Sequence, residues 1–312
     1  GLSGIDCEAG DVDAANTHLT AAADFFDNAP MTETRFRWFV ARALAADAEG
    51  RPDDAVELLR EAERLYRRGF FPEVRPIAAM TARIRIAQGR LPEAAAWAQQ
   101  RGVSVTDDAG YLAEFDHLTL VRILIARHRK QPDGGTAGEA ARLLERLLES
   151  AEAGGRAGSL LEIRMLQALV QDARGNRGQA RATLGQAFAE APEPGGYARL
   201  FLAEGAPMIG LLEDAAHHGT AGDHPRRLLS LAAPPETAAP APEPSPSSVE
   251  TLSVREMQVL RLLDSELSGP EIARQLFISH NTLRTHTKHI FTKLGVATRL
   301  AAVRRARERG LL

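Results

Sequence analysis

One cysteine, Cys7, occurs in 312 residues, so no disulfide can close within the chain and a reducing compartment is the default expectation. Lysine is nearly as scarce: three, against thirty-five arginines. No long apolar run is present. The most apolar stretch, Leu118 to Ala126, is broken by Arg122 and falls well short of the ~20 residues a membrane helix needs. The first residues show no apolar core of a secretory signal, so no membrane partner and a cytoplasmic location are expected. No segment alternates with period two over a useful length, which argues against strands. The Gly-x-x-x-x-Gly-Lys-Ser/Thr phosphate loop is absent, so nucleotide binding is not expected of this chain.

Catalytic constellations are equally thin. Carboxylates fall on helix-period segments among arginines, the ordinary dress of exposed helices. His217, His218 and His224 cluster in a Gly-containing loop, but they form an incomplete ligand set that matches no metal template. Serine, histidine and cysteine form no nucleophile elbow or helix-borne zinc pattern. The expectation is therefore a non-enzyme with no catalytic residue, metal or cofactor.

What is abundant is leucine and alanine at helical spacing. Ala55–Leu65, Leu118–Ala126 and Ala141–Leu148 each give a helix one apolar face that a neighbour must cover. Gly10, Gly50, Gly89 and Gly175 each precede a polar helix start and an alanine, at spacings of 40, 39 and 86 residues, the last about two periods. The missing turn is expected near Gln131–Gly138. A period near forty exceeds the ~34 of a standard tetratricopeptide repeat, which predicts paired-helix repeats with lengthened helices stacked into a superhelix over residues 1–231.

Residues 232–249 are a Pro/Ala/Ser stretch with almost nothing large enough to anchor a core, read as an extended linker. Beyond it the charge changes sign. Residues 250–312 hold eleven Lys/Arg and six Asp/Glu, net +5, which leaves 27 Lys/Arg against 35 Asp/Glu, net −8, in the remainder. A basic module thus follows an acidic body. Phosphate affinity belongs to the first, and repulsion from nucleic acid to the second.

The basic module carries local helix punctuation. Ser253-Val-Arg-Glu256 and Ser268-Gly-Pro-Glu271 read as capping boxes, with Pro270 where a first-turn proline is harmless. Ser279 is a third cap candidate, opening a helix that Gly295 ends. On that helix Leu283, Thr287, Ile290 and Leu294 form one stripe, and Arg284, Thr285 and Lys288 occupy the opposite face. Two cations, no carboxylate and one short side chain suit a helix lying in the major groove of double-stranded DNA. Two of the three lysines, Lys288 and Lys293, lie on this one helix.

Leu252–Leu260, Glu271–Ser279, Asn281–His286 and Lys293–Val296 together resemble the LuxR-type helix-turn-helix domain. Glu193–Met208, preceded by Ser159–Leu169, is similar to the close of the helical-repeat region of MalT-like regulators. The resemblance implies an all-α chain: a TPR-like superhelix (1–231), a linker (232–249) and a small four-helix DNA-binding domain (250–312). It places Arg284, Thr285 and Lys288 at bases, and Ser279, Asn281 and Lys293 at phosphates. His286 matches a position that packs within the domain. The final helix, Arg299 to Arg309, takes the dimer contact, through Leu300, Val303 and Arg304. Implied partners are double-stranded DNA, a second copy on DNA, RNA polymerase, and a small-molecule inducer or regulatory protein on the repeats. In such regulators an ATP-binding module precedes the superhelix. This sequence opens on Gly1 inside repeat-like sequence without that module, so both a C-terminal part of a longer regulator and a member lacking the ATPase stay open. A repeat scaffold is the third reading.

Overall fold

The computed structural model describes residues 2–23, 32–66, 73–133, 135–190, 197–232, 254–265, 272, 287, 290–291, 293–294, 296, 298–309 and 311. The chain divides into two compact units, residues 1–237 and 238–312. All regular structure among the described residues is helical. None of these helices is long and apolar enough to cross a membrane.

The first unit is a series of hairpins: α1 (Leu2–Glu8) with α2 (Val12–Ala23), α3 (Thr32–Ala48) with α4 (Pro52–Leu65), α5 (Ile77–Ala87) with α6 (Leu91–Arg101), α7 (Glu114–Lys130) with α8 (Thr136–Ala153), and α9 (Ala157–Ala173) with α10 (Arg177–Glu190). Three further helices, α11 (Ala198–Leu202), α12 (Ala206–His217) and α13 (His224–Ala232), follow the hairpins in the same unit.

One piece of backbone chemistry makes four of the five hairpins. Gly10, Gly50, Gly89 and Gly175 all have positive φ, between 73° and 83°, a region side chains with a Cβ enter only at a cost. At Gly50 the glycine N–H donates to the Asp47 carbonyl (3.1 Å) and the Arg51 N–H to the Ala46 carbonyl (2.9 Å). This is a Schellman end that satisfies two orphan carbonyls of α3. The Arg51 carbonyl then accepts from Ala55 N (3.1 Å), so the next helix starts without a break. Ala15, Ala55, Ala94 and Ala180 occupy this fifth position after the glycine and are fully buried. A bare methyl there lets the two helices lie together. The α7–α8 turn falls where the inserted residues were expected, and there Asp133 works on the start of the next helix, accepting from Thr136 N at 2.7 Å.

Two expectations need correction. Lengthened helices hold in the second, fourth and fifth hairpins. In the third, α5 and α6 have eleven residues each, and residues 102–113, with a 3₁₀ turn at Tyr111–Ala113, take up the length. Leu118–Ile125 was expected to have one apolar face, yet the whole run is buried. α7 packs against α5, α6, α8 and α9 at once, so no side of it meets solvent for long. α4 and α8 do show single stripes, in α8 through Ala140, Leu143, Leu144, Leu147 and Ala151.

The second unit has α14 (Val254–Leu263) and α15 (Arg299–Glu308). Residues 272, 287, 290–291 and 293–294 are also helical. Its small core joins Val259, Leu260 and Leu263 of α14, Ile272, Ile290 and Leu294, and Ala302 and Ala306 of α15.

Candidate nucleic-acid interface and the interior of the repeats

The expected recognition stripe is visible where it is described. Ile290 and Leu294 are buried in the small core and Thr287 is half-buried, while Leu283 lies outside the described residues. The helix end expected at Gly295 is supported from both sides: the Val296 N–H reaches back to the Phe291 carbonyl at 2.9 Å, the long bond of a Schellman end. Arg284, Thr285 and Lys288, and the phosphate candidates Ser279 and Asn281, lie outside the described residues, as do His286 and the capping serines Ser253 and Ser268. Lys293 is on the described part of the helix and half-buried.

α15 is fixed by a cap and by an arginine that the sequence did not single out. Thr298 Oγ1 accepts from Ala301 N (3.2 Å), opening the helix. Arg299 donates through Nε to the Leu263 carbonyl (2.9 Å) and through Nη2 to the Ser265 carbonyl (2.6 Å). It therefore caps the C-terminal end of α14 and locks the two helices together. Ala302 and Ala306 face the core, Val303 is half-buried against it, and Leu300 lies on the same helix. Arg304 and Arg305 are exposed. Arg307 pairs with Asp264 at 2.6 Å.

Inside the repeats a cavity of about 470 Å³ is walled by α1, α3, α4, α5, α7, α9, α11 and the start of α12, a volume within the range of small-molecule sites. A chain of ion pairs crosses it. Arg83 of α5 and Arg122 of α7 both donate to Glu162 of α9, at 2.9 and 2.8 Å, and Arg122 also donates to Glu204 beyond α11 at 2.7 Å. Arg199 of α11 pairs with Asp47 of α3 at 2.9 Å, which ties the closing segment to the second hairpin across 152 residues. Burial alone would raise the Glu162 carboxyl, but the Arg83 and Arg122 guanidiniums outweigh it and hold the group at about 2. Burial, and then repulsion from Arg122, pull Arg83 down to about 10, where it remains a cation at neutral pH. Arg122 is the residue that breaks the apolar run in α7. Sequence gives no signal that its partners lie 40 and 82 residues away.

The three histidines of the 217–224 loop have separate neighbours. His218 Nδ1 is 2.8 Å from the Asp214 carbonyl, His217 meets the His218 ring edge-on, and His224 stacks on Phe188.

An array of helical hairpins joined to a small basic helical module is the plan of a helical-repeat protein with a helix-turn-helix domain. The comparisons with known proteins fix the family. The model for the MalT-like TPR region matches residues 1–218, and that for the luxR family of bacterial regulatory proteins matches residues 250–306. The chain belongs to the MalT-like, LuxR-type regulators. Three relatives align over short stretches of 54 to 62 residues. The Mycobacterium bovis protein named as an HTH-type transcriptional regulator, Mb0914c, is 42% identical over 60 residues, 19% of this chain and 7% of that protein. The HTH-type transcriptional regulator AlkS of Alcanivorax borkumensis is 39% identical over 62 residues, 20% and 7%. A nitrate/nitrite response regulator protein homolog of Haemophilus influenzae is 44% identical over 54 residues, 17% and 26%. The alignment thus spans about a fourteenth of the first two relatives. No solved structure matches.

Proposed function

We propose that this protein is a sequence-specific DNA-binding transcription regulator, acting as an activator in the reducing interior of the cell, whose repeat unit senses an inducer or a partner protein. The observation that carries the reading is the LuxR-family segment at 250–306, together with the burial of Ile290 and Leu294 in its small core. Arg284, Thr285 and Lys288 meet base edges, and Ser279, Asn281 and Lys293 meet phosphates. Leu300, Val303 and Arg304 on α15 pair two copies on DNA, and RNA polymerase is the downstream partner. Residues 232–249 serve as the connecting linker between repeats and DNA-binding domain. The 470 Å³ interior cavity supports ligand sensing over a bare scaffold.

The mechanism is a population shift. A signal that binds the repeat unit better in its assembled state favours paired DNA-binding domains on two half-sites. Fluorescence anisotropy on an operator duplex tests this across protein concentrations. Affinity that rises with protein concentration, and further with inducer, agrees with the mechanism. Affinity indifferent to both refutes it.

A further inference from the structure

The charges lining the interior cavity are matched with two exceptions. Five arginines and four carboxylates face it. Arg83 and Arg122 pair with Glu162, Arg122 with Glu204, Arg199 with Asp47, and Arg129 with Asp172 just outside it at 2.7 Å. Arg75 and Glu8 remain. Neither has a hydrogen bond or an ion pair among the described residues. Arg75 is exposed and, among the described residues, lies over the Phe115 ring at 5.9 Å from its centroid. Glu8, on α1, is half-buried. Burial pushes its carboxyl up, and Arg75 is the strongest cation opposing that rise.

One unmatched cation and one unmatched carboxylate on the same cavity wall restrict what fills it. A simple anion satisfies Arg75 but sets a second negative charge before Glu8. A simple cation satisfies Glu8 and is opposed by Arg75, with Arg83 and Arg199 nearby. A neutral polyol offers neither group an ionic partner beyond the attraction Arg75 and Glu8 already exert on each other. A molecule bearing both signs offers each group a charge-assisted hydrogen bond, the exposed Arg75 as well as the half-buried Glu8. Between them Leu44, Met80, Phe115 and Leu200 supply an apolar wall.

We propose that this cavity binds a zwitterionic small molecule of the amino-acid or short-peptide type, its carboxylate on Arg75, its ammonium on Glu8 and its side chain on the apolar wall. The assignment rests on the ligand-sensing reading above and names the ligand class for it.

Calorimetric titration of the whole chain tests it, with apolar amino acids, dipeptides and tripeptides, each also N-acetylated and C-amidated. Glu8→Gln and Arg75→Ala run beside the wild type. A free zwitterion binds wild type. Acetylation weakens it by about tenfold or more on wild type and little on Glu8→Gln. Amidation does the same on wild type and little on Arg75→Ala, as expected for lost charge-assisted hydrogen bonds. No binding by any member of the panel overturns the proposal, as does equal binding of free and blocked forms. Preference for a simple carboxylate or a neutral sugar overturns the zwitterion assignment and leaves ligand sensing standing. A zwitterion that binds with the blocked-form pattern but leaves operator affinity unchanged supports the assignment and counts against sensing.

Discussion

Glu162→Gln tests whether the interior ion pairs hold the repeats together. Glu162 receives Arg83 and Arg122 at 2.9 and 2.8 Å with its side chain 15% exposed, so solvent screens it little. Glutamine keeps the volume and one acceptor oxygen while removing the charge. The carboxyl lies at about 2 instead of 4.5, and that difference corresponds to about 3 kcal/mol of stability. The sign follows from the depression. Glu162 is ionised in the fold well below the point where the unfolded chain takes up a proton, so its contribution is full above about pH 4.5 and is lost as pH falls through 2. The network as a whole is worth far less than this, because burying Arg83 costs a comparable amount. Removing the Glu162 charge leaves Arg83 buried without its ion-pair partner while Arg122 keeps Glu204, and breaking a buried pair typically costs 3–5 kcal/mol, on the order of the figure above. Urea unfolding followed by far-UV circular dichroism should show Glu162→Gln about 3 kcal/mol less stable at pH 7. The thermal midpoint should fall by about 6–12 °C for a unit of this size. At pH 3 the gap should narrow to about 1 kcal/mol, because by then the wild type has lost most of the same contribution. A loss below about 1 kcal/mol at pH 7, or a gap that does not narrow in acid, would refute the reasoning.

Gly50 has φ of +75° and open space where a Cβ would sit, so Gly50→Ala should cost about 1–2 kcal/mol purely from backbone conformation, and Gly50→Asn less; equal losses in urea midpoints would contradict the turn argument. His117 is fully buried with neither ring nitrogen hydrogen-bonded. Burial lowers its pKa against the pull of Asp107 at 3.8 Å and of Asp116, with Arg146 adding to the drop. The unfolded chain therefore binds the proton first, and stability falls as pH drops below about 6.5. His117→Leu should lose less stability than wild type between pH 7.5 and 5.5, and an unchanged acid slope would count against this. On DNA, Arg284→Ala should cost about 1–3 kcal/mol on the operator and relax one base position, whereas Lys293→Ala should weaken all sequences alike and lower the salt slope by about one. Equal losses on operator and random DNA for Arg284→Ala would remove it from base reading.

The hairpins were legible because a glycine-ended helix is a local event: one residue with positive φ, two backbone bonds and an alanine five positions on, all within a short window. Gly155 makes the same turn between α8 and α9, with Arg156 N reaching the Ala151 carbonyl at 3.0 Å. Sequence reading passed over it because it falls between hairpins and breaks the forty-residue period. The stripe at Ile290 and Leu294 was readable for the same local reason. The cavity was not. Its walls come from eight helices, and the pairs that cross it span 40 to 152 residues, so no pattern along the chain marks Arg83, Arg122, Glu162 or Glu204 as partners. Arg299 was likewise hidden, because it acts on carbonyls at the end of a helix 34 to 37 residues earlier.

The most direct test of DNA reading by the helix that ends at Leu294 is selection of the whole chain on a pool of random duplexes at several salt concentrations, followed by sequencing of what is retained. The Arg284→Ala/Lys288→Ala double variant serves as the comparison. The account predicts one enriched motif with two-fold symmetry or paired half-sites for wild type and none for the variant. Retention without sequence enrichment, or the same motif from both proteins, would contradict it.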